Sequence, residues 1–103
     1  MADNKYYIGL DLKFRVAIEA PGFNQVSDNY TLDFYCGKEK MSFTQDDVIE
    51  DTDGNFFLFI PTSELSPGIM KMVITAFVPD DDSPTGIRKE VGVVNLGPLR
   101  ITV

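Results

Sequence analysis

The sequence predicts an all-β domain spanning residues 1–103, a sandwich of seven to eight short, mainly antiparallel strands. Three observations predict it. Apolar and polar residues alternate with period two over successive stretches, the spacing of a half-buried strand. Turn residues such as Pro21-Gly22, Asp53-Gly54 and Gly97-Pro98 punctuate the chain between those stretches. Pro61 to Gly68, which offers Thr62 and Ser63 as helix caps, is too short and too broken by proline to make a useful helix.

The elements follow in order. From Leu10 to Ile18, the residues Leu10, Leu12, Phe14, Val16 and Ile18 share one face, with Asp11, Lys13 and Arg15 on the other. Pro21-Gly22 ends that strand. Tyr30 to Cys36 is the next, with Leu32, Phe34 and Cys36 inward and Thr31, Asp33 and Tyr35 outward. Gly37-Lys38-Glu39 reads as a hairpin loop into a strand carrying Met41 and Phe43. Gln45 to Thr52 is acidic and irregular, a turn followed by a short strand at Val48-Ile49. Asp53-Gly54 signals a two-residue hairpin, because both residues tolerate positive φ. Phe56 to Ile60 follows, then a crossing loop over Pro61–Gly68 with one helical turn capped by Thr62 or Ser63. Ile69 to Val78 is a long strand, Pro79 to Gly86 an acidic turn, and Ile87 to Val94 the return strand. Leu99 to Val103 is a last strand after Gly97-Pro98, with the prolines placed in loops or at strand ends. Such a strand and turn count describes a sandwich of immunoglobulin-like type, with a small closed barrel as the alternative. The Cys…Trp…Cys signature of antibody domains is missing, since the chain has one cysteine and no tryptophan.

Composition excludes several function classes. Nine basic against sixteen acidic side chains give a net charge of −7, which repels a phosphate backbone or an anionic membrane surface, so no nucleic-acid partner is expected. No apolar run approaches the roughly 20 residues of a membrane helix, so no membrane insertion is expected. The first residues lack the apolar stretch of a signal peptide. Histidine is absent, which removes His-based acid–base chemistry, Ser-His-Asp and Cys-His nucleophiles, and every His-containing metal site. Cys36 lies in an apolar alternating run and reads as a small buried hydrophobe. No catalytic residue, cofactor or metal is predicted.

Asp51, Asp53 and Asn55 mimic positions 1, 3 and 5 of a calcium loop. Phe56 stands where its glycine belongs, though, and Thr62 where its bidentate glutamate belongs. That segment reads as a solvated loop whose Asp53 serves a turn, and Asp80-Asp81-Asp82 as a second solubilising turn. Asn29-Tyr30-Thr31 matches the glycosylation sequon by chance.

The informative anomaly is apolar character on both faces of two strands. Phe56 to Ile60 contains no polar residue. In the long strand Met70, Met72, Ile74, Ala76 and Val78 make one face, and Ile69, Lys71, Val73, Thr75 and Phe77 the other. The face with Lys71 and Thr75 is expected outward, leaving Ile69, Val73 and Phe77 exposed. If Phe57 and Phe59, or their alternates, lie on that same outer face, the patch is large for a soluble monomer. Either a loop or terminus covers these five residues, or they form a protein–protein interface.

The run Glu50-Asp51-Thr52-Asp53-Gly54-Asn55-Phe56-Phe57-Leu58-Phe59-Ile60 leads into Pro61-Thr62-Ser63-Glu64-Leu65 and Ser66-Pro67-Gly68. Lys71, Ile74-Thr75-Ala76, Val78-Pro79-Asp80 and Gly86-Ile87-Arg88-Lys89-Glu90-Val91 come after. This order resembles the immunoglobulin-like modules of phage and prophage tail or baseplate proteins from gut bacteria, of the upper-baseplate-protein N-terminal type, over roughly residues 10–103. The resemblance implies a structural or attachment part without catalysis, located in a virion tail or, before assembly, in the bacterial cytoplasm. It further implies partners that are copies of the chain itself, as a homo-oligomer, or other tail proteins. A stand-alone module for a surface glycan or protein is the alternative, and the lack of Trp counts against sugar binding.

Overall fold

A computed structural model of the chain describes residues 6–7, 11–61 and 65–100. The strands in chain order are β1 (Tyr6–Tyr7), β2 (Asp11–Arg15), β3 (Tyr30–Cys36), β4 (Glu39–Thr44), β5 (Ile49–Glu50), β6 (Phe56–Pro61), β7 (Gly68–Pro79) and β8 (Ile87–Arg100). They form two layers. A three-stranded antiparallel sheet has the order β2-β6-β5, and the second sheet has the order β1-β8-β7-β3-β4. Within the second sheet β8, β7, β3 and β4 are antiparallel neighbours, and β1 joins β8 in parallel through Tyr6 opposite Leu99 and Tyr7 opposite Arg100. Two layers ordered B-E-D and C′-C-F-G are the immunoglobulin-like arrangement, and β2-β6-β5 and β4-β3-β7-β8 reproduce it. The all-β sandwich expected from the alternation is therefore the fold.

Alternation places the core. Leu32, Phe34 and Cys36 of β3 and Met70 and Met72 of β7 face Leu12, Leu58 and Ile60 of the other sheet, all buried. The rings of Phe14 and Phe34 meet across the two layers at 6.5 Å. Each such side chain contributes about 1.5–3 kcal/mol by leaving water. β3 runs over the expected residues with a strictly alternating burial pattern.

Local chemistry explains where strands stop. Beyond β2, the Gln25 side chain accepts the Ile18 N–H (3.1 Å) and donates to the Val16 carbonyl (2.8 Å), standing in for a ladder partner. After β4 a three-residue 3-10 turn, Gln45–Asp47, forms because Thr44 and Asp47 cap each other reciprocally. Gln45 ties that turn to β3 by donating to Asn29 Oδ1 (2.7 Å) and accepting the Tyr30 N–H (3.3 Å). The β3–β4 hairpin closes against the start of β7. A Cβ on Gly68 would lie 2.8 Å from the Gly37 backbone, and Gly37 donates its N–H to the Ile69 carbonyl at 3.1 Å.

Four sequence expectations need correction. β2 ends at Arg15, three residues before the expected Ile18 and well short of Pro21-Gly22. The short strand before the acidic loop is Ile49–Glu50, one residue later than expected. The β5–β6 connection is a five-residue loop, not a two-residue hairpin. Asp51 builds it by accepting the N–H groups of Asp53 (2.9 Å) and Asn55 (3.0 Å), so Asp51 rather than Asp53 is the organising residue. Gly97-Pro98 does not break the last strand. A register shift opposite Met70 and Lys71 leaves Leu96 as an extra residue, and Gly97 takes φ 91° there, so β8 bulges and continues. Pro98 thus lies inside a strand. It is tolerated because its partner Ile69 directs its carbonyl to Gly37 on the other side, so this pair exchanges no ladder bonds. The expected cap at Thr62 or Ser63 and the expected strand residues beyond Arg100 lie outside the described residues.

Candidate interaction faces

Register assigns every side chain of β7 and β8 to one of two faces, because directly opposed residues point the same way. Val73 faces Val93, Thr75 faces Val91, Phe77 faces Lys89, and Ile69 faces Pro98. All of these lie outward, since their neighbours Met70, Met72, Ala76 and Val78 are buried. The outer face of this hairpin therefore carries an apolar stripe. Ile69 is 65% exposed, Val91 63% and Val93 57%, with Ile87 exposed at the far end. Val73 and Phe77 are half-buried within it, and the Lys89 ammonium lies 5.8 Å from the Phe77 ring.

The neighbouring strands make the rim polar. Tyr35 is flanked by Lys71 and Lys40, at 5.1 and 5.5 Å from its ring. Asp33 accepts from Ser42 at 2.8 Å and sits 4.0 Å from Lys40. Apolar centre and polar rim is the anatomy of a protein interface.

Phe57 and Phe59 do not join this patch. They point outward from β6, which belongs to the three-stranded sheet, so they lie on the opposite side of the sandwich. Alternation had fixed them as sharing a face, and pairing with β2 decided which layer that face belongs to. There Lys13 lies over both rings, 4.2 Å from Phe57 and 5.7 Å from Phe59, with Ile49 exposed alongside. Among the five residues singled out from sequence, Ile69, Val73 and Phe77 stay together, and Phe57 and Phe59 form a second, smaller cluster. Val91, Val93 and Ile87 were missed, although their alternation with Arg88 and Gly92 was visible.

The polar loops are accounted for internally. Among the described residues, no three His, Cys, Asp or Glu side chains come together as a metal site. The Asp51 carboxyl is held below its ordinary pKa, chiefly by the Asn55 N–H. Asp80 is held low by Arg88, whose guanidinium contacts it at 2.6 Å while also reaching Glu90 (2.9 Å) and the Pro21 carbonyl (2.9 Å). This clamp fastens the β7–β8 turn to the loop after β2. Burial pushes the Cys36 thiol pKa up, with Glu39 adding to it, and the thiol donates to the Ser66 carbonyl at 3.3 Å. No helix among the described residues is long and apolar enough to cross a membrane.

No protein-family model, curated protein or solved structure matches the chain.

Proposed function

We propose that this domain is a non-catalytic assembly module that associates with copies of itself through the outer face of the β7–β8 hairpin, as a phage- or prophage-derived tail or baseplate component. The observation that carries this reading is the apolar stripe of Ile69, Val91 and Val93, exposed on a sheet face that no described segment covers. Covering such residues on association removes apolar area worth about 25 cal/mol per Å² from water, before the costs of association are counted. The polar rim of Lys71, Tyr35 and Asp33 sets register, and the acidic loops keep the free domain soluble. Assignment to a tail structure follows the resemblance of residues 10–103.

Light scattering after size exclusion, across a hundredfold concentration range, tests the association. A mass that settles at a defined multiple of the monomer as concentration rises supports the reading. A monomer mass at every concentration removes self-association.

A further inference from the structure

A second surface, separate from the outer face, has the features of a strand-accepting groove. Ile69 directs its carbonyl toward Gly37, and Phe77 its N–H toward Asn29, both on the β3 side of β7. The backbone groups of Met72, Ile74, Ala76 and Val78 therefore point at β8, where they meet Val94, Gly92, Glu90 and Arg88. It follows that the N–H and C=O groups of Lys89, Val91 and Val93 point away from β7. Among the described residues nothing pairs with them, since β1 covers only Leu99 and Arg100.

Among the described residues nothing closes the sandwich beneath this edge. Val94 points inward beside buried Met72 and is nevertheless 44% exposed, because the other sheet ends at β2. Two adjoining clefts fill the gap. One of about 250 Å³ lies between Ile18–Pro21 and Ile74, Glu90 and Gly92. The other, about 130 Å³, lies between Phe14–Ala17 and Met72, Val94 and Leu96. An apolar cavity of about 150 Å³ takes a benzene-sized group, so the larger cleft has room for a long side chain and the smaller one for a short aliphatic side chain. They are offset along β8 by about four residues, ~13 Å, the spacing of side chains i and i+4 on the same face of one extended strand.

Gly92 adds an independent observation. Its φ is not positive, and a Cβ built on it would meet nothing within 4 Å, so neither backbone conformation nor packing among the described residues requires glycine. A glycine within a strand weakens it, and one reason to find it there is close approach of another backbone or a ligand.

From these features we infer that the β8 edge accepts an extended segment of a different polypeptide, apolar at alternate positions and carrying a cation where Glu19 and Glu90 flank the larger cleft. The added strand lies in line with β1 and bonds to Lys89, Val91 and Val93, as in β-strand addition generally. The charge selects the occupant. Glu19, Asp80, Asp81, Asp82 and Glu90 against Arg88 and Lys89 leave five negative charges to two positive at that end, and the chain as a whole is −7, so a basic segment fits better than a second copy.

The test titrates the full chain with a blocked synthetic octapeptide that has valine at alternate positions, threonine between them and one terminal lysine. Saturable binding is expected, with slowed amide exchange at Lys89, Val91 and Val93, and replacing the peptide lysine by glutamate should weaken it about tenfold. Val91→Pro removes an edge donor that β7 does not use, and Gly92→Val fills the larger cleft. Both should fold as the wild type does and lose binding by about tenfold or more. Absence of binding at millimolar peptide overturns the inference, as does binding that neither variant weakens or that is indifferent to the peptide's charge. Slow exchange of those three amides in the free monomer would show the edge occupied by its own chain, and slow exchange only in a dimer would give it to a second copy. Either also overturns it. Self-association through the outer face is read separately by solution mass, so the two can fail independently.

Discussion

Val73 and Val93 oppose each other on the outer face of the β7–β8 hairpin, one half-buried and the other 57% exposed, while their chain neighbours Met72 and Val94 point to the inner side. The same two strands thus carry apolar groups on both faces, and only the inner set is needed to build the core.

The two sets should respond oppositely to charge. Val93→Glu is expected to leave stability within about 0.5 kcal/mol of wild type, because the new carboxylate stays in water. Met72→Glu, introducing a carboxyl beside Leu32 and Phe34, should cost several kcal/mol and unfold the domain at ambient temperature. Urea titrations followed by circular dichroism distinguish them. Comparable losses in the two variants would mean that Val93 is a core residue.

Gly68→Ala should be destabilising by about 1–3 kcal/mol, since the added methyl meets backbone atoms of Gly37 at 2.8 Å and cannot be accommodated by a side-chain rotation. Gly92→Ala, with open space around the same methyl, should be neutral or mildly stabilising. Denaturation midpoints of the two variants give the comparison, and equal midpoints would contradict the close contact between the two hairpin ends.

Stability should fall on acidification through Asp51 and Asp80. Both have folded-state pKa values below the unfolded carboxylate value of about 3.9, from the Asn55 N–H at Asp51 and from Arg88 at Asp80. Their contribution is fully present above the unfolded pKa and is lost as pH falls through the depressed folded values. Unfolding free energy measured from pH 5 down to pH 2 should therefore drop less steeply in Asp51→Asn and Asp80→Asn than in the wild type. An unchanged slope in both would remove these two groups from the acid transition.

Cys36 should resist alkylation in the native state. Its side chain is buried and its thiol pKa is raised, so little thiolate is present and less is accessible. Labelling with a thiol reagent at pH 8 should be slow in buffer and fast in urea. Rapid native labelling would show that β3 opens locally.

How much of this was legible in the sequence differs by element. Alternation fixed β3 to the residue and separated the two faces of β7, because period two reports directly which side chains share a face. It does not report which sheet a face belongs to. Phe57 and Phe59 share a face, as alternation says, but β6 pairs with β2, which puts that face on the opposite side of the sandwich from Ile69, Val73 and Phe77. Gly97-Pro98 carries the residues of a turn, yet the bulge at Leu96 and a Pro98 nitrogen that faces away from β7 let β8 run through it. Asp51 outranked Asp53 because hydrogen bonds two and four residues ahead depend on loop length, which the Asp-Gly pair alone does not set. The open edge of β8 has no local signature, since what fails to pair with a strand is decided by the whole sheet order.

The most direct test of the assembly reading compares the solution masses of Val93→Glu and Phe59→Glu with that of the wild type at high concentration, each confirmed folded by circular dichroism. Val93→Glu is expected to revert to a monomer while Phe59→Glu, on the opposite side of the sandwich, retains the wild-type oligomer. A monomeric wild type, or an oligomer that survives Val93→Glu intact, would contradict the assembly reading.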